Sequence, residues 1–424
     1  MAEVLQNART GTLTLFRKGW RNVRAATPRQ MAGTLLLLIL ALLMARFSWQ
    51  MPVTNEAERS LYDVRTFIGA PIIEQDHRVQ IVAYTDQTLI DVGKRSPLDR
   101  GLLAKALRNL DDMDAKAIGI DILFDQPQSE DDELLATLRA MKTPVFIAYA
   151  EIEGNAQDII YEQQAFLDSF VEALSGSKAA PASIRLDYAG GVARKWPEAL
   201  AGLPPLLGRA MIGAGDPGID LMEGYEGAIR YRRTPTTGAE DDSERIPVFS
   251  SLPIDTFAIP GLIDNPDLAE YLVPQIKDSY VLVGGEIVDV DRVETPFTPV
   301  TGETIPGVRI HASMIAQILD GARLPGLASW QLWLTAVLVV LSASMTSLIE
   351  ARFLRVLPFL AAQLILIGGL PFFLQSQGYD TLGMPAVGWA LGWILAFIAV
   401  SSSVRASGAV ERNFAQSALG KYLP

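Results

Sequence analysis

The chain has 424 residues, of which 49% are hydrophobic, and a formal net charge of −12. It contains no cysteine and two histidines, so disulfides, thiolate chemistry and cysteine-ligated metals are excluded, and a histidine-based zinc site has too few ligands. The acidic balance argues against a nucleic-acid partner, because such a surface repels phosphate backbones. Most acidic residues lie between Glu56 and Asp320, whereas the apolar excess forms four blocks, which indicates two parts of the chain in two solvents.

The first apolar block, residues 31–45, follows a basic N-terminal segment in which Glu3 is the single acid. This excess of positive charge predicts a cytoplasmic flank. Because the block is shorter than the ~20 residues that a span usually needs, a cleaved signal peptide is the alternative. We favour a membrane anchor, because Arg46 with Phe47 and Trp49 extends the block to the interface and no small-x-small cleavage site follows promptly.

From residue 78 onward, apolar β-branched runs alternate with amphipathic helical stretches, a pattern typical of a mostly parallel sheet covered by helices. Strands are predicted at 78–84, 115–124, 144–150 and 278–286, and helices at 101–113, 130–141 and 310–321. The region 155–250 is rich in glycine, proline and charge, and we predict that it forms long loops and insertions on the sheet.

In a doubly wound sheet the ligand crevice lies beyond the carboxyl ends of the strands. The candidate crevice residues at these positions are Asp86, Asp121, Asp125, Gly284, Gly285 and Glu286. Acids and glycines after strands also cap helices and form turns, and helix capping is the alternative for Asp86 and Asp125. The glycine pair lacks the continuation of a phosphate-binding loop, which argues against nucleotide binding. We interpret His311 as a helix-start or packing histidine rather than a base.

Three further stretches without charge, 324–349, 356–379 and 381–404, are each long enough to cross a bilayer of ~30 Å. Arg352 and Arg355 follow the first of them and Arg405 follows the last, so the charges obey the positive-inside rule with four spans. These three spans contain no ionisable residue, which argues against transport chemistry. Four glycines in the last two spans favour close helix packing or dimerisation, namely Gly368, Gly369, Gly388 and Gly392.

These patterns predict an α/β extracytoplasmic domain, with a mostly parallel sheet and flanking helices, plus an α-helical membrane region of four spans. The predicted segments are a cytoplasmic N-terminus (1–30), a first span (31–50), the extracytoplasmic domain (51–323), three spans (326–349, 356–377 and 383–404) and a cytoplasmic tail (405–424).

Six motifs occur in an order that resembles the type-two CHASE domain, the cyclase/histidine-kinase-associated sensory extracellular domain. They are LYDVR (61–65), RVQIVAYTDQTLIDVG (78–93), AIGIDILFDQPQSEDDELLATL (117–138), YVLVGGE (280–286), DRVETPF (291–297) and IPGVRIHASMIAQIL (305–319). The chain departs from the family at GKRSPLDR (93–100), where members often carry a tryptophan-rich stretch, and at Glu286-Ile287, where small residues are usual. These departures bear on the identity of the ligand.

The resemblance implies a bacterial extracytoplasmic sensor coupled to a cytoplasmic output domain, and it names no ligand. His311 lies on a helix that GARLP, ending at Pro325, joins to the second span, so both residues are candidate signal-coupling positions. The tail resembles the segment that enters class III adenylate or guanylate cyclase domains, where a Tyr-Leu-Pro, here beginning at Tyr422, precedes the catalytic fold. No histidine follows position 311 to serve as a kinase phosphoacceptor.

The leading hypothesis is therefore a receptor module in the bacterial inner (plasma) membrane, with both termini cytoplasmic and the domain 51–323 periplasmic or extracellular. It is expected to form a homodimer in the lipid bilayer, to bind an unknown ligand or protein, and to regulate a cyclase domain beyond Pro424. That domain would use Mg²⁺ or Mn²⁺ with ATP or GTP, whereas the chain itself is expected to hold no catalytic residue, metal or cofactor.

Three alternatives remain open. The output domain can be of another kind, such as a protein kinase. The chain can instead be a membrane-anchored extracytoplasmic enzyme in which Asp86, Asp121 and Asp125 hold a divalent cation, since carboxylate oxygens suit hard cations. It can also be a scaffold, in which these three aspartates matter only for stability.

Overall fold

A computed structural model describes residues 26–94, 97–152, 159–238, 245–349 and 353–419. The chain divides into two compact units. The helical unit comprises Met1–Arg65 and Pro325–Pro424, and the α/β unit comprises Thr66–Leu324.

The α/β unit alternates strands and helices along most of its length. Its strands are β1 (Val79–Thr85), β2 (Ala117–Asp121), β3 (Val145–Tyr149), β4 (Ala179–Ser183), β5 (Ser251–Pro253), β6 (Tyr280–Glu286), β7 (Arg292–Val293) and β8 (Ile305–Pro306). Its helices are α3 (Asp86–Val92), α4 (Arg100–Asp112), α5 (Asp131–Ala140), α6 (Tyr161–Ala173), α7 (Leu207–Gly215), α8 (Ile254–Phe257), α9 (Pro266–Ile276), α10 (Thr298–Thr301) and α11 (Gly307–Leu319).

Six of these strands form one parallel sheet in the order β4-β3-β2-β6-β1-β5. The last long strand in the chain, β6, lies between β1 and β2 and pairs with both. Strands β7 and β8 form a separate antiparallel ribbon. The prediction of a mostly parallel sheet with flanking helices is confirmed.

Alternate residues of the strands enter different cores because successive side chains of a strand point to opposite faces. Val82 and Tyr84 belong to a core with helices α4, α5, α6, α8 and α9. Val79, Ile81 and Ala83 belong to a second core with α7 and α11. Both faces of the sheet are covered, which is why its strands read as nearly continuous apolar runs.

The prediction of loops and insertions for residues 155–250 is partly wrong. This region contributes two helices, α6 and α7, and the edge strand β4. Strand β4 pairs with residues Val145–Tyr149 of β3. Leu207 and Met211 of α7 are fully buried beneath the sheet. The segment 239–244, in the charged stretch of this region, lies outside the described residues.

The helical unit contains α1 (Pro28–Phe47), the first part of α2 (Asn55–Gly69), α12 (Ser329–Ser347), α13 (Phe353–Ser376) and α14 (Ala386–Leu419). Four helices in the described part of the chain are long and apolar enough to cross a membrane, over Pro28–Gln50, Ser329–Ser347, Leu357–Ser376 and Ala386–Ala406. The chain thus has the character of a membrane protein.

Two of the predicted packing glycines bring α14 against α1. A Cβ built on Gly388 would clash with the Met44 backbone oxygen, and one built on Gly392 lies 2.6 Å from that of Ala41. These two glycines therefore serve packing within one chain. A Cβ built on Gly368 or Gly369 meets nothing within 4 Å.

Candidate functional site

The carboxyl ends of the central strands bring several predicted crevice residues to one edge of the sheet. Asp121, the last residue of β2, is the register partner of Gly284 on β6. Glu286, the last residue of β6, is the partner of Thr85 on β1. A Cβ built on Gly284 would lie 3.0 Å from the Val308 side chain, so glycine lets α11 pack closely here.

Asp121 faces His311, the fifth residue of α11. The Asp121 Oδ1 and His311 Nε2 atoms are 4.0 Å apart, and the two side chains are 8% and 3% exposed. Burial raises the pKa of Asp121 to about 7 and lowers the pKa of His311 to about 4, since burial disfavours the charged form of each. The Asp291 charge and the backbone of Ile184 partly oppose this lowering of the His311 pKa. His311 is thus a buried packing histidine, and its neighbour is a carboxyl group that titrates near neutral pH.

A third titratable residue, Asp291, approaches this pair from the loop before β7. It has a left-handed backbone (φ 52°), which is uncommon for a residue with a side chain. Its carboxylate lies 2.7 Å from the position a Cβ would take on Gly307, the first residue of α11. Asp291 is more exposed than Asp121, and its pKa is raised to about 6 by partial burial and by the Asp121 charge. Glycine at position 307 is what allows this approach.

Glu286 anchors another residue of α11. Its Oε1 accepts a hydrogen bond from Arg309 Nε at 2.5 Å, and its Oε2 accepts one from the Ser251 hydroxyl at 2.7 Å. The side chains of Glu286 and Arg309 are 15% and 29% exposed, so the ion pair is largely removed from solvent. We define the carboxyl-edge cluster as Asp121, Glu286, Asp291, Arg309 and His311.

Asp86 and Asp125 have other partners. Asp86 is the first residue of α3, and its Oδ2 accepts a hydrogen bond from the backbone N–H of Val288 at 3.1 Å. The N-cap of α3 is Thr85. Asp125 accepts a hydrogen bond from the Gln163 side-chain amide at 2.5 Å. The capping interpretation of both aspartates is therefore wrong.

The described part of the chain contains no group of three or more His, Cys, Asp or Glu residues that could hold a metal ion. The proposed cation set of Asp86, Asp121 and Asp125 is not such a group. Gly285 lies on β6 between Gly284 and Glu286, and its register partner on β1 is Tyr84.

The two remaining predicted positions lie outside the α/β unit. In the helical unit, the Pro325 backbone oxygen accepts a hydrogen bond from the Asp380 N–H at 3.0 Å. This bond joins the segment before α12 to the loop before α14. Tyr422 lies outside the described residues.

Sequence reasoning missed two members of the carboxyl-edge cluster, Asp291 and Arg309. A signal was present, because both lie in motifs quoted for the resemblance, DRVETPF and IPGVRIHASMIAQIL. The ribbon of β7 and β8 brings these motifs together, with Arg292 paired to Pro306 and Val293 to Ile305.

Comparisons with known proteins agree with these motifs. Searches of curated proteins and of solved structures found no match. A family model described as the CHASE2 domain matches residues 34–349, from within α1 to the end of α12. The match thus includes the whole α/β unit, with the sheet and the carboxyl-edge cluster. Because it covers well over half of the 424 residues, the chain belongs to the CHASE2 domain family.

Proposed function

We propose that the chain is a transmembrane receptor module whose α/β unit senses a stimulus outside the cytoplasm and controls a class III adenylate or guanylate cyclase domain. The observation that carries this proposal is the family match, since CHASE2 is a sensory domain typically found in signalling proteins. The matched region begins and ends in apolar helices that are long enough to cross a membrane.

The charge pattern supports the proposed topology. Basic residues before α1, between α12 and α13, and at Arg405 place both termini in the cytoplasm of a bacterium and residues 51–323 in the periplasm or outside the cell. The inner (plasma) membrane is the proposed location.

Helix α14 supports the proposed output. It continues from its apolar span to Leu419 without interruption, so its cytoplasmic end is a direct extension of the span. The resemblance of the tail to cyclase entry segments then favours a cyclase, with Mg²⁺ or Mn²⁺ and ATP or GTP bound on the output domain. Class III sites form between two catalytic domains, so we propose a homodimer.

The coding sequence beyond Pro424 and an enzyme assay test this proposal together. Membranes containing the extended protein are expected to make cyclic nucleotide from ATP or GTP, whereas membranes containing only the 424-residue form are expected to make none. Cross-linking in the same membranes tests the dimer. A kinase or another output domain after Pro424, or an extended protein without cyclase activity, would contradict the cyclase assignment.

The metal-dependent enzyme is the weaker candidate. Its three aspartates have separate environments, with Asp121 buried beside His311, Asp86 bonded to the Val288 N–H and Asp125 bonded to Gln163. No observation on the described residues favours it over a sensor.

A further inference from the structure

A cavity of about 400 Å³ opens beside Arg309 of the carboxyl-edge cluster. Its walls come from the segment before β5, from the ribbon of β7 and β8 with α10, and from α11. Aromatic rings form much of the apolar wall, namely those of Tyr231, Phe249 and Phe297. The cavity lies in the size range of small-molecule sites, which are mostly apolar with a few placed polar groups. We call it the aromatic cavity.

The aromatic wall is held in place from behind. The Phe297 ring packs against Tyr231 at 5.7 Å and edge-on against Phe67 at 5.2 Å, measured between ring centroids. The Tyr231 hydroxyl donates a hydrogen bond to the Ala193 backbone oxygen at 2.8 Å. A wall fixed by these contacts is preformed for a flat apolar group, because little side-chain freedom remains to be lost on binding.

Three arginines line the cavity, and they differ in how fully their charges are paired with carboxylates of the chain. Arg232 is 5% exposed and is bound by Asp76 and Asp320 at 2.5 Å each, with a further bond to the Ala316 oxygen at 2.8 Å. Arg245 is paired with Glu303, which also lines the cavity.

Arg309 has spare donors. It is bound through Nε to Glu286, and within the described part of the chain its two Nη groups have no hydrogen-bond partner. A guanidinium with two free N–H₂ groups presents donors spaced for the two oxygens of a carboxylate.

Two hydroxyls of the cavity already donate to backbone oxygens of the chain. The Ser313 hydroxyl donates to the Arg309 backbone oxygen at 2.9 Å, and the Thr301 hydroxyl donates to the Phe297 oxygen at 3.2 Å. The site therefore suits a ligand with one anionic group and an apolar ring. A more highly charged ligand would meet the Glu303 carboxylate, which also lines the cavity, without a matching donor. Residues 239–244, between the lining residues Gly238 and Arg245, lie outside the described residues.

We propose that the aromatic cavity is the stimulus site and that it binds a small aromatic monocarboxylate, with the ring against Phe297 and the carboxylate on the Nη groups of Arg309. This inference rests on the proposed sensory function. The ligand and Glu286 would share the Arg309 guanidinium, with the ligand on the Nη groups and Glu286 on Nε. Arg309 lies on α11, which is followed after residues 320–324 by the start of the helical unit at Pro325.

Titration of the full chain in detergent with phenylacetate tests the site, using calorimetry or saturation-transfer NMR. Phenylacetamide, which lacks the charge, and cyclohexylacetate, which lacks the aromatic ring, are the matched ligands. We expect phenylacetate to bind in the millimolar range or tighter, and each matched ligand to bind at least about tenfold more weakly. Equal binding of phenylacetate and phenylacetamide, or no binding of phenylacetate at millimolar concentration, would overturn the proposal.

Variants place the binding in the cavity. Arg309→Gln is expected to weaken phenylacetate binding at least about tenfold, because it removes the charged donor. Arg323→Gln removes an exposed arginine that is paired with Asp220 and does not line the cavity, so it should bind like the wild type. Phe297→Leu keeps the charge and should weaken binding independently of Arg309.

Two controls separate the possible failures. Thermal unfolding of each variant shows whether it is folded, and Phe297→Leu keeps the proposal testable if Arg309→Gln is not. Binding is measured without any cyclase readout, so the absence of cyclase activity leaves this test intact. Conversely, the extended protein can be an active cyclase whose activity does not change with phenylacetate and which does not bind phenylacetate. This result would contradict the ligand assignment and leave the cyclase assignment standing.

Discussion

Two sites of buried charge, one in the α/β unit and one in the helical unit, differ in how fully their charges are paired. In the α/β unit, the buried Arg232 is surrounded by acceptors from Asp76, Asp320 and Ala316. In the helical unit, Glu58 is 0% exposed and Arg65 is 1% exposed, yet both leave polar atoms without a partner. Arg232 is thus fully paired, whereas Glu58 and Arg65, a pair of buried opposite charges in the helical unit, are only partly satisfied.

The partly satisfied pair lies where helices meet. One oxygen of Glu58 accepts hydrogen bonds from the Ser48 hydroxyl at 2.5 Å and the Gly388 N–H at 2.8 Å, and the other has no partner. Arg65 reaches the Thr381 backbone oxygen at 3.3 Å. Burial raises the pKa of Glu58 and lowers the pKa of Arg65 to about 10, so burial works against both charges. Helix α14 is therefore held near its N-terminus by a costly polar contact.

Removing Glu58 is expected to have the largest effect. Glu58→Ala leaves the Ser48 hydroxyl and the Gly388 N–H without their acceptor and the buried Arg65 without the opposite charge that favours it, which should lower the free energy of unfolding by about 3–5 kcal/mol. Denaturant titration of the full chain in detergent measures the change. Glu56→Ala, on the exposed face of the same helix, should cost no more than about 1 kcal/mol. Equal effects of the two substitutions would show that the buried contact contributes nothing.

A smaller loss of stability is expected when a side chain is introduced into the close contact between α1 and α14. Gly392→Val places side-chain atoms against the Ala41 backbone oxygen and the Ala45 Cβ, which a built Cβ already approaches to 2.6 and 2.9 Å. We expect a loss of about 1–3 kcal/mol, because backbone must move to admit the side chain. Gly368→Val is the matched control on α13, where a built Cβ meets nothing within 4 Å. If both variants unfold at the same denaturant concentration, the close packing of α1 and α14 is wrong.

The two units also differ in what their sequences predicted. The long apolar strands β1 and β6 were predictable because each is a run of β-branched residues between turn signals, and the edge where Asp121 and Glu286 meet follows from parallel pairing. Strand β4 was missed because AAPAS has small residues and a proline. A proline is tolerated there since β4 lies at the edge of the sheet.

The missed site residues needed tertiary information. Asp291 is a loop residue by sequence, and only the pairing of β7 with β8 shows that it faces Gly307 and the buried Asp121. Gly388 and Gly392 signalled a close helix contact, but their spacing does not say which helix is the partner. Spacing predicts faces and edges, whereas the identity of the neighbour depends on how distant elements pack.

A further expected effect depends on pH and comes from the α/β unit. The pKa of Asp121 is raised from 3.8 to about 7 in the folded chain, so the folded state holds this proton more tightly than the unfolded state does. The stabilisation is fully present below pH 3.8 and is lost as the pH rises through 7. Wild type should therefore lose about 2–3 kcal/mol between pH 5 and 8 relative to Asp121→Asn, which cannot ionise.

His311 titrates in the opposite sense, but it is present in both proteins. Asp291 is present in both as well, and since the Asp121 charge raises its pKa, the difference between the proteins reports Asp121 together with this coupling. Denaturant titrations of both proteins at pH 5 and pH 8 measure it. Ile120→Val, one residue earlier on β2, has no titratable group and should cost about 0.5–1.5 kcal/mol at either pH. A difference between wild type and Asp121→Asn that stays constant with pH would mean that Asp121 remains ionised beside His311, and the carboxyl edge would then carry a fixed charge as fully compensated as that of Arg232.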